Sequence, residues 1–211
     1  MKGSEGPVVA IYLAAGSSSR MGEPKLSLPA GEAALGTLAL QAVLDSEVDH
    51  TIVVIQEDRE TGWIGRFLGE RLDGTWSLVV CREAESGMAY SIRCGIKEAV
   101  AKGARAAVFV LADQPFITRL MINRLLRAER DNPGAGFVAS GDDGTPKPPV
   151  WFSRRLFPEL LRLEGDEGAR KLLRQPEQFG GVRVDFAERR CFMDIDTPED
   201  YANARRYFGM E

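Results

Sequence analysis

With 211 residues, of which 44% are hydrophobic and 27% charged, the chain has the size and balance of one ordinary globular domain with a substantial core. Its formal net charge of −4 supplies no overall basic field, so neither nucleic acid nor an anionic membrane is expected as a partner. A polyanionic substrate would have to be met by a few Lys and Arg side chains placed locally.

One histidine and three cysteines exclude further classes of chemistry. His50 precedes an apolar run and is interpreted as a loop residue at a strand start, so neither a Ser-His-Asp triad nor a His-rich zinc site is expected. Cys81, Cys94 and Cys191 lie far apart without metal-type spacing, which predicts buried thiols in a reducing compartment rather than a disulfide framework. No apolar stretch approaches the roughly 20 residues that span a bilayer, and the protein is expected in the cytoplasm.

The first part of the chain alternates continuous apolar runs with helical patterns. Such runs are typical of strands buried on both faces of a parallel sheet that helices cover. The predicted strands are VVAIYL (8–13), TIVVI (51–55), SLVVC (77–81) and AAVFVL (106–111). The predicted helices lie around 34–45, 60–71, 88–102 and 118–130. This order predicts an α/β fold, a three-layer sandwich around a mostly parallel, Rossmann-like sheet.

The composition of the sequence changes after residue 131. The segment DNPGAGFVASGDDGTPKPPV (131–150) predicts loop with one short strand, GFVA. Two short helices are predicted in 153–163 and 166–175, and two strands in GVRVDF (181–186) and CFMDI (191–195). A closing helix follows over 197–208, with Thr197 as N-cap and Pro198 at its first position. Without a linker or repeat, residues 1–211 are expected to form a single domain.

The strongest motif is LAAGSSSRMGEPK, from Leu13 to Lys25. A buried strand ends there in a turn of small residues, whose backbone N–H groups can point at an anion without obstruction. Arg20 and Lys25 add two positive charges, which suits a triphosphate. The motif is neither GxxxxGK[ST] nor GxGxxG, so the usual ATPase and dinucleotide patterns are not supported. Lys25 is expected to be an exposed loop side chain.

Carboxylates occur at two places that suit a metal ion. Asp113, in FVLADQPFIT, comes just after a buried strand, where open α/β sheets place their ligands. Asp194 and Asp196, in CFMDIDTPEDY, lie along a predicted strand, and one of them could complete a magnesium site. The alternative for Asp113 is a turn or capping residue, and for Asp196 a residue that helps to start the closing helix.

Two further segments contain glycine before a helix. ESGMAYSIRCGI (85–96) could form a wall for a base and ribose, and LEGDEGARKLL (163–173) could form an anion site beside Arg170. Each can equally be read as structural.

Together these segments resemble the nucleotidyltransferases of the molybdenum cofactor, within the nucleoside-triphosphate transferases of the nucleotide-diphospho-sugar transferase, or GT-A-like, α/β fold. The resemblance covers nearly the whole chain, and its motifs occur in the family's order. The matching elements are LAAGxSxRMGxxK at Leu13–Lys25, DQP at Asp113–Pro115, GDxGAR at Gly165–Arg170 and DIDTPED at Asp194–Asp200. The most similar subgroup is the molybdenum cofactor cytidylyltransferases, which serve xanthine-dehydrogenase-type enzymes.

The resemblance implies roles for particular residues. Catalysis would depend on Arg20, Lys25 and Asp113, and Mg²⁺ would be bound by Asp113 and Asp196. The nucleotide would be bound by Leu13, Ala14, Ala15, Gly16, Arg20, Lys25, Gly87 and Ser91. The acceptor would be bound by Gly165, Asp166, Gly168 and Arg170. The chain departs from the family in GTPKPPVWF, where Lys147 and Pro148 stand in place of the histidine and proline of many relatives.

The resemblance implies transfer of CMP from CTP to the molybdenum-molybdopterin cofactor with release of pyrophosphate, and a client enzyme of xanthine dehydrogenase type. Two alternatives remain open at this point. One is an enzyme of the same fold that uses GTP or a sugar or polyol phosphate acceptor. The other is a chaperone that carries the molybdenum cofactor without catalysis.

Overall fold

The computed structural model describes residues 6–16, 18–57, 61–69, 74–166 and 168–210. Its strands are β1 Val8–Leu13, β2 Pro29–Ala30, β3 Ala33–Ala34, β4 His50–Gln56, β5 Trp76–Cys81, β6 Ala106–Leu111, β7 Phe137–Asp142, β8 Thr145–Ser153 and β9 Gly181–Asp185. Its helices are α1 Leu35–Leu44, α2 Gly62–Gly69, α3 Met88–Ala101, α4 Arg119–Asp131, α5 Phe157–Leu161, α6 Arg170–Leu173, α7 Pro176–Phe179 and α8 Pro198–Arg205. The ends of the helix predicted over 60–71, and Ser17 and Glu167 within two predicted motifs, lie outside the described residues.

A seven-stranded sheet forms the centre of the fold, in the order β5-β4-β1-β6-β8-β7-β9. Strands β5, β4, β1 and β6 pair in parallel, as the continuous apolar runs predict, and so do β7 and β9. The small hairpin β2-β3 stands apart from this sheet. The predicted α/β class with a mostly parallel sheet is confirmed.

Strand β8 was predicted as loop, and that prediction was wrong. It lies between β6 and β7 and is antiparallel to both. Its prolines were the reason for the error, because proline cannot donate to a sheet ladder. The sheet tolerates them because only Val150–Ser153 pairs with β6, whereas Thr145–Lys147 pairs with β7 alone.

The two faces of the sheet bury different sides of β1. Val9, Ile11 and Leu13 pack on the face covered by α3 and α5, and Val8, Ala10 and Tyr12 pack on the face covered by α1, α2 and α4. Alternate side chains of a strand point to opposite faces, so a run that is apolar throughout supplies both layers of core.

A third apolar cluster lies outside these two layers. Met21, Leu28 and Leu35 of the segment after β1 pack with Ile195 and with Ala204 of α8. The C-terminal segment is thereby packed against the loop that follows β1. Among the described residues, no helix has the length and apolar character to cross a membrane.

Two other expectations need correction. The segment CFMDI is not a strand, because Arg189–Phe192 form a 3-10 turn and residues 193–195 pair with no strand of the described sheet. Cys81 and Cys94 are distant in sequence, but their sulfur atoms lie within 4.8 Å of each other. All three thiols are free, and Cys81 and Cys191 are buried as predicted, whereas Cys94 is only half-buried. His50 begins β4, its Nε2 lies 2.9 Å from Ser77 Oγ, and burial lowers its pKa.

Candidate functional site

The candidate site lies at the switch point of the sheet, where successive strands are added on opposite sides of β1. After β1 the chain adds β4 and β5 on one side, and then returns to add β6 on the other. Leu13 and Leu111, the last residues of β1 and β6, are paired, and Ala112 N donates to Leu13 O at 3.1 Å. In open α/β sheets such a switch point is where ligands bind. The Leu13–Lys25 motif and Asp113 therefore start side by side.

The loop after β1 returns to the sheet through Lys25. Ser18 Oγ accepts a hydrogen bond from Lys25 N at 3.1 Å, which fixes the second half of the loop. Ala15 is only 3% exposed and packs into the core, whereas Gly16 is exposed. A Cβ placed at Gly16 would meet no atom of the described residues within 4 Å, so the described part of the fold does not require glycine there.

Lys25 joins two of the predicted carboxylates. Its Nζ donates to Asp113 Oδ2 and to Asp196 Oδ1, each at 2.8 Å. Arg20 Nη2 lies 2.9 Å from Asp196 Oδ2, with 70% of its side chain exposed. Lys25 itself is 5% exposed, so the expectation of an exposed loop lysine was wrong. The structure brings all four residues together in one charge cluster.

The pKa of Lys25 is raised above its ordinary value. Burial lowers this pKa, but the nearby charges and hydrogen bonds of Asp113 and Asp196 outweigh it. With its pKa raised, the Lys25 ammonium stays protonated at neutral pH. The cluster therefore holds a permanent positive charge between two carboxylates.

Asp194 lies close enough to the same cluster to interact with its charges. Gln114 Nε2 donates to Asp194 Oδ1 at 2.8 Å, and Gln114 is 3% exposed. Burial raises the pKa of Asp194, and the charges of Asp113 and Asp196 add to this effect. Gln114 Oε1 is buried without a hydrogen-bond partner among the described residues. The predicted metal pair Asp113 and Asp196 shares Lys25, whereas Asp194 is bound to the cluster through Gln114.

Backbone contacts place the second carboxylate segment. Ile195 N donates to Asp113 O at 2.9 Å, and the Ile195 side chain is fully buried in the third apolar cluster. Asp200 Oδ2 accepts from the backbone N–H groups of Asp196 and Thr197 at 3.2 and 2.8 Å. The cap of α8 is thus made by Thr197 and Asp200, which leaves the Asp196 side chain for the charge cluster.

The two glycine segments contact each other, which the sequence did not predict. Gly87 has φ +128°, and a Cβ there would lie 2.5 Å from Gly165 O. Ala89 N donates to Gly165 O at 3.0 Å, and a Cβ at Gly168 would lie 3.0 Å from Met88 Sδ. The predicted base wall and the predicted acceptor loop therefore form one surface at the start of α3.

Two predicted site residues lie at the margins of this surface. Ser91, in the first turns of α3, is 5% exposed, and its contact with a ribose stays a prediction. Arg170 is exposed at the first position of α6, after the acceptor loop that includes Asp166. No described contact joins either residue to the charge cluster.

Sequence reasoning missed the roles of Gln114 and Ser18. Both occur inside the quoted motifs, Gln114 next to Asp113 and Ser18 in the small-residue turn. The partner of Gln114, Asp194, lies 80 residues away in sequence. The partner of Ser18 is the backbone N–H group of Lys25 in the same loop, which no sequence pattern marks. Lys147, the point of departure from the family, donates to Asp142 at 2.9 Å, and its charge lowers the pKa of Asp194 against the larger effect of burial.

Comparison with known sequences gives consistent matches over most of the chain. The family model described as "MobA-like NTP transferase domain" matches residues 10–179. Purine catabolism protein PucB of Bacillus subtilis is 37% identical over 201 residues, covering 94% of this chain and 96% of that protein. The molybdenum cofactor guanylyltransferase of Mesorhizobium japonicum is 27% identical over 210 residues, covering 94% and 95%. The molybdenum cofactor cytidylyltransferase of Escherichia coli is 23% identical over 199 residues, covering 94% and 95%.

Solved structures show the same fold. A nucleotidyl transferase of Methanothermobacter matches with a TM-score of 0.77 and 22% identity, over 96% of this chain and 97% of that one. The manganese complex of Rv0371c from Mycobacterium tuberculosis matches with a TM-score of 0.71 and 23% identity, over 96% and 100%. The fold is therefore the GT-A-like α/β fold of nucleotidyltransferases.

Proposed function

Because this chain belongs to the family of MobA-like NTP transferases, we propose that it transfers CMP from CTP to the molybdenum-molybdopterin cofactor and releases pyrophosphate. That it is a nucleotidyltransferase follows from the family and the fold. The chaperone alternative is set aside for that reason. The nucleotide, the acceptor and magnesium are the proposed parts.

One observation carries the proposal: Lys25 Nζ is bound to both Asp113 and Asp196 at the switch point between β1 and β6. A triphosphate that approached bare carboxylates would be repelled. Lys25 and Arg20 offset that repulsion within one cluster, and the exposed Arg20 side chain can turn toward a phosphate.

The donor set also fits a magnesium ion. Asp113, Asp194 and Asp196 offer carboxylate oxygens, which Mg²⁺ prefers, and the first and third already converge on one cation, the Lys25 ammonium. We propose that Asp113 and Asp196 hold the ion and that Gln114 fixes Asp194 beside them. When bound, magnesium would neutralise phosphate charge.

The chain's own residues would align the reactants and stabilise charge. A phosphate oxygen of the acceptor attacks the α-phosphorus of CTP, the new P–O bond forms, and the bond to the bridging oxygen breaks to release pyrophosphate. Arg20 and Lys25 would stabilise the charge that develops on the leaving group. The acceptor phosphate is largely ionised near neutral pH, so no general base is needed. This agrees with a site in which the chain's one histidine takes no part.

The choice of acceptor and client has separate support. Two of the relatives are named for the molybdenum cofactor, and the most identical of the three reported is named for purine catabolism. Oxidation of purines is a reaction of xanthine-dehydrogenase-type enzymes, so such an enzyme is the proposed client. The contact of Gly87 with Gly165 would bring the base side and the acceptor side together.

The decisive assay measures pyrophosphate release from CTP with Mg²⁺ and the molybdenum-molybdopterin cofactor. We expect release only when nucleotide and acceptor are both present. Asp113→Asn should lower kcat by about 10²-fold or more, because it removes one metal carboxylate. Asp185→Asn, an exposed carboxylate that pairs with Arg183 on β9, is the matched control and should keep parental activity.

Each contrary result rejects a different part of the proposal. Release with a sugar or polyol phosphate, but not with the pterin cofactor, would reject the acceptor. A folded Asp113→Asn protein with parental turnover at saturating Mg²⁺ would reject the metal site.

A further inference from the structure

Three metal-ligating side chains meet away from the charge cluster. Cys81 is the last residue of β5, Glu83 lies in the 3-10 turn Arg82–Ser86, and Cys94 lies in α3. Their ligand atoms, two Sγ and one carboxylate oxygen, all lie within 4.8 Å of one another. Strand β5 is the edge strand, separated from β1 by β4, so this group is distinct from Lys25 and its carboxylates.

The spacing of these atoms suits one metal ion. Zinc–sulfur bonds of about 2.3 Å in tetrahedral geometry place two sulfur ligands ~3.8 Å apart. A group already within 4.8 Å needs only small side-chain movements to reach that spacing. Two sulfurs and one oxygen select a thiophilic, borderline-soft cation over Mg²⁺, which prefers oxygen alone.

One of the three side chains is buried, and the other two are accessible to solvent. Cys81 is fully buried in the core, Cys94 is half-buried, and Glu83 is exposed. An ion can therefore reach the sulfurs from the Glu83 side, where a water molecule can complete four-coordination, as in sites with three protein ligands.

We propose that Cys81, Glu83 and Cys94 bind one thiophilic divalent cation such as Zn²⁺. Such an ion would connect β5, the Arg82–Ser86 turn and α3. The same turn leads directly to Gly87, whose backbone contacts the Gly165 loop. Occupancy would thus rigidify the wall beside the proposed nucleotide site, although the binding itself does not depend on the proposed reaction.

A disulfide is the competing use of the two thiols. A carboxylate beside the sulfurs contributes nothing to a disulfide but is an ordinary zinc ligand.

The test is a Co²⁺ titration of the full chain, reduced, freed of metal with a chelator and kept anaerobic. We expect a thiolate-to-cobalt charge-transfer band that saturates at about one ion per chain and is removed by Zn²⁺. Binding should also release protons from the thiols. Cys81→Ser and Cys94→Ser should each weaken Zn²⁺ binding by about 100-fold or more, and Glu83→Gln by about 10-fold.

Cys191→Ser is the matched control, because Cys191 is also buried but lies in a different core cluster. It should keep the parental band and affinity. Circular dichroism of each variant checks the fold, and the half-buried Cys94 and exposed Glu83 keep the test valid if Cys81→Ser does not fold.

Several results would overturn the proposal. These are the absence of a charge-transfer band in the reduced parent, a band that survives in folded Cys81→Ser or Cys94→Ser, and a band lost in folded Cys191→Ser. Oxidised glutathione that converts Cys81 and Cys94 to a disulfide, in a chain whose reduced form gives no band, would assign the pair to redox chemistry instead.

Discussion

Because Lys25 is buried and not exposed as predicted, its substitution is expected to affect stability as well as activity. It is buried and bound to Asp113 and Asp196. Lys25→Met should lower kcat/KM by about 10²-fold, because a charge-stabilising contact is lost. It should also lower the free energy of unfolding by about 1–2 kcal/mol, because two partly buried carboxylates lose their shared cation. Pyrophosphate assays and urea unfolding measure the two effects.

The control for Lys25→Met is Lys102→Met, which breaks the helical ion pair with Glu98 and should cost no more than about 0.5 kcal/mol. Because the pKa of Lys25 is raised by Asp113 and Asp196 against burial, its stabilising contribution is complete below the ordinary lysine pKa of about 10.4 and is lost as pH rises through the higher folded value. A stability difference between parent and Lys25→Met that already disappears between pH 7 and 9 would contradict this assignment.

Ala15 is the residue on which the choice between CTP and GTP is proposed to depend. The family resemblance implies that guanylyl-transferring members have the motif Leu-Ala-Gly-Gly at the position where this chain has Leu-Ala-Ala-Gly. The Ala15 methyl fills space in the core beneath the loop, so its removal should let the backbone lie deeper and admit a two-ring base. We expect the parent to prefer CTP and Ala15→Gly to shift partly toward GTP, by ~1–3 kcal/mol in relative kcat/KM. Competition assays with both nucleotides decide it, and a parent that prefers GTP rejects the cytidylyl assignment.

At the scale of elements, the N-terminal cap of helix α8 stabilises the fold and also holds the backbone of Asp196, a member of the charge cluster. Thr197 Oγ1 accepts from Asp200 N and donates to Asp200 Oδ2, which in turn accepts from Asp196 N. Thr197→Ala should cost about 1 kcal/mol of stability and lower turnover several-fold, because Asp196 loses part of its support. The Thr197 hydroxyl holds the pKa of Asp200 below its ordinary value. That contribution is present above the unfolded pKa of about 3.9 and is lost as pH falls through the folded value.

The stability difference between parent and Thr197→Ala should therefore be constant above pH 5 and shrink in stronger acid. Thr118→Ala is the matched control, since Thr118 caps α4 by accepting from Met121 N, and no carboxylate of the described residues takes part in that cap. It should cost a similar free energy without the acid dependence. Equal acid dependence in both variants would show that Asp200 is not the titrating group.

At the scale of the whole molecule, the contact between Gly87 and Gly165 joins α3 to the loop before α6. Gly87→Ala would place a Cβ at φ +128° and 2.5 Å from Gly165 O, so the two segments must separate. We expect a loss of more than about 1 kcal/mol of stability and a loss of activity. The added methyl of Gly16→Ala meets no atom within 4 Å in the part of the chain that the structure describes, and the substitution should change stability by less than about 0.5 kcal/mol.

Activity lost in Gly16→Ala without loss of stability would then indicate that a substrate approaches that backbone closely. Thermal melts and pyrophosphate assays on both variants separate the two cases. A Gly87→Ala protein as stable as the parent would show that the contact with Gly165 contributes nothing to the fold.

Local patterns in the sequence were sufficient to predict a large part of the fold and of the candidate site. The runs VVAIYL and AAVFVL form strands buried on both faces, and Thr197 caps a helix that Pro198 begins, because propensity, periodicity and capping act between neighbouring residues. Arg20, Lys25 and Asp113 were predicted as site residues from motifs that follow buried strands, and the switch point of the sheet brings them together. Asp196 was predicted from the motif before the closing helix, and it joins them through its ion pairs with Arg20 and Lys25.

Only the tertiary structure decided the contacts between distant segments. The proline-rich residues 145–149 read locally as loop, yet Thr145–Lys147 pair with β7, on a part of β8 that has no pairing with β6. Asp194 and Asp196 are placed by the burial of Ile195 and not by a strand, and Cys81 meets Cys94 because β5 lies beneath α3. Such contacts depend on packing between elements far apart in the chain, which no local periodicity records.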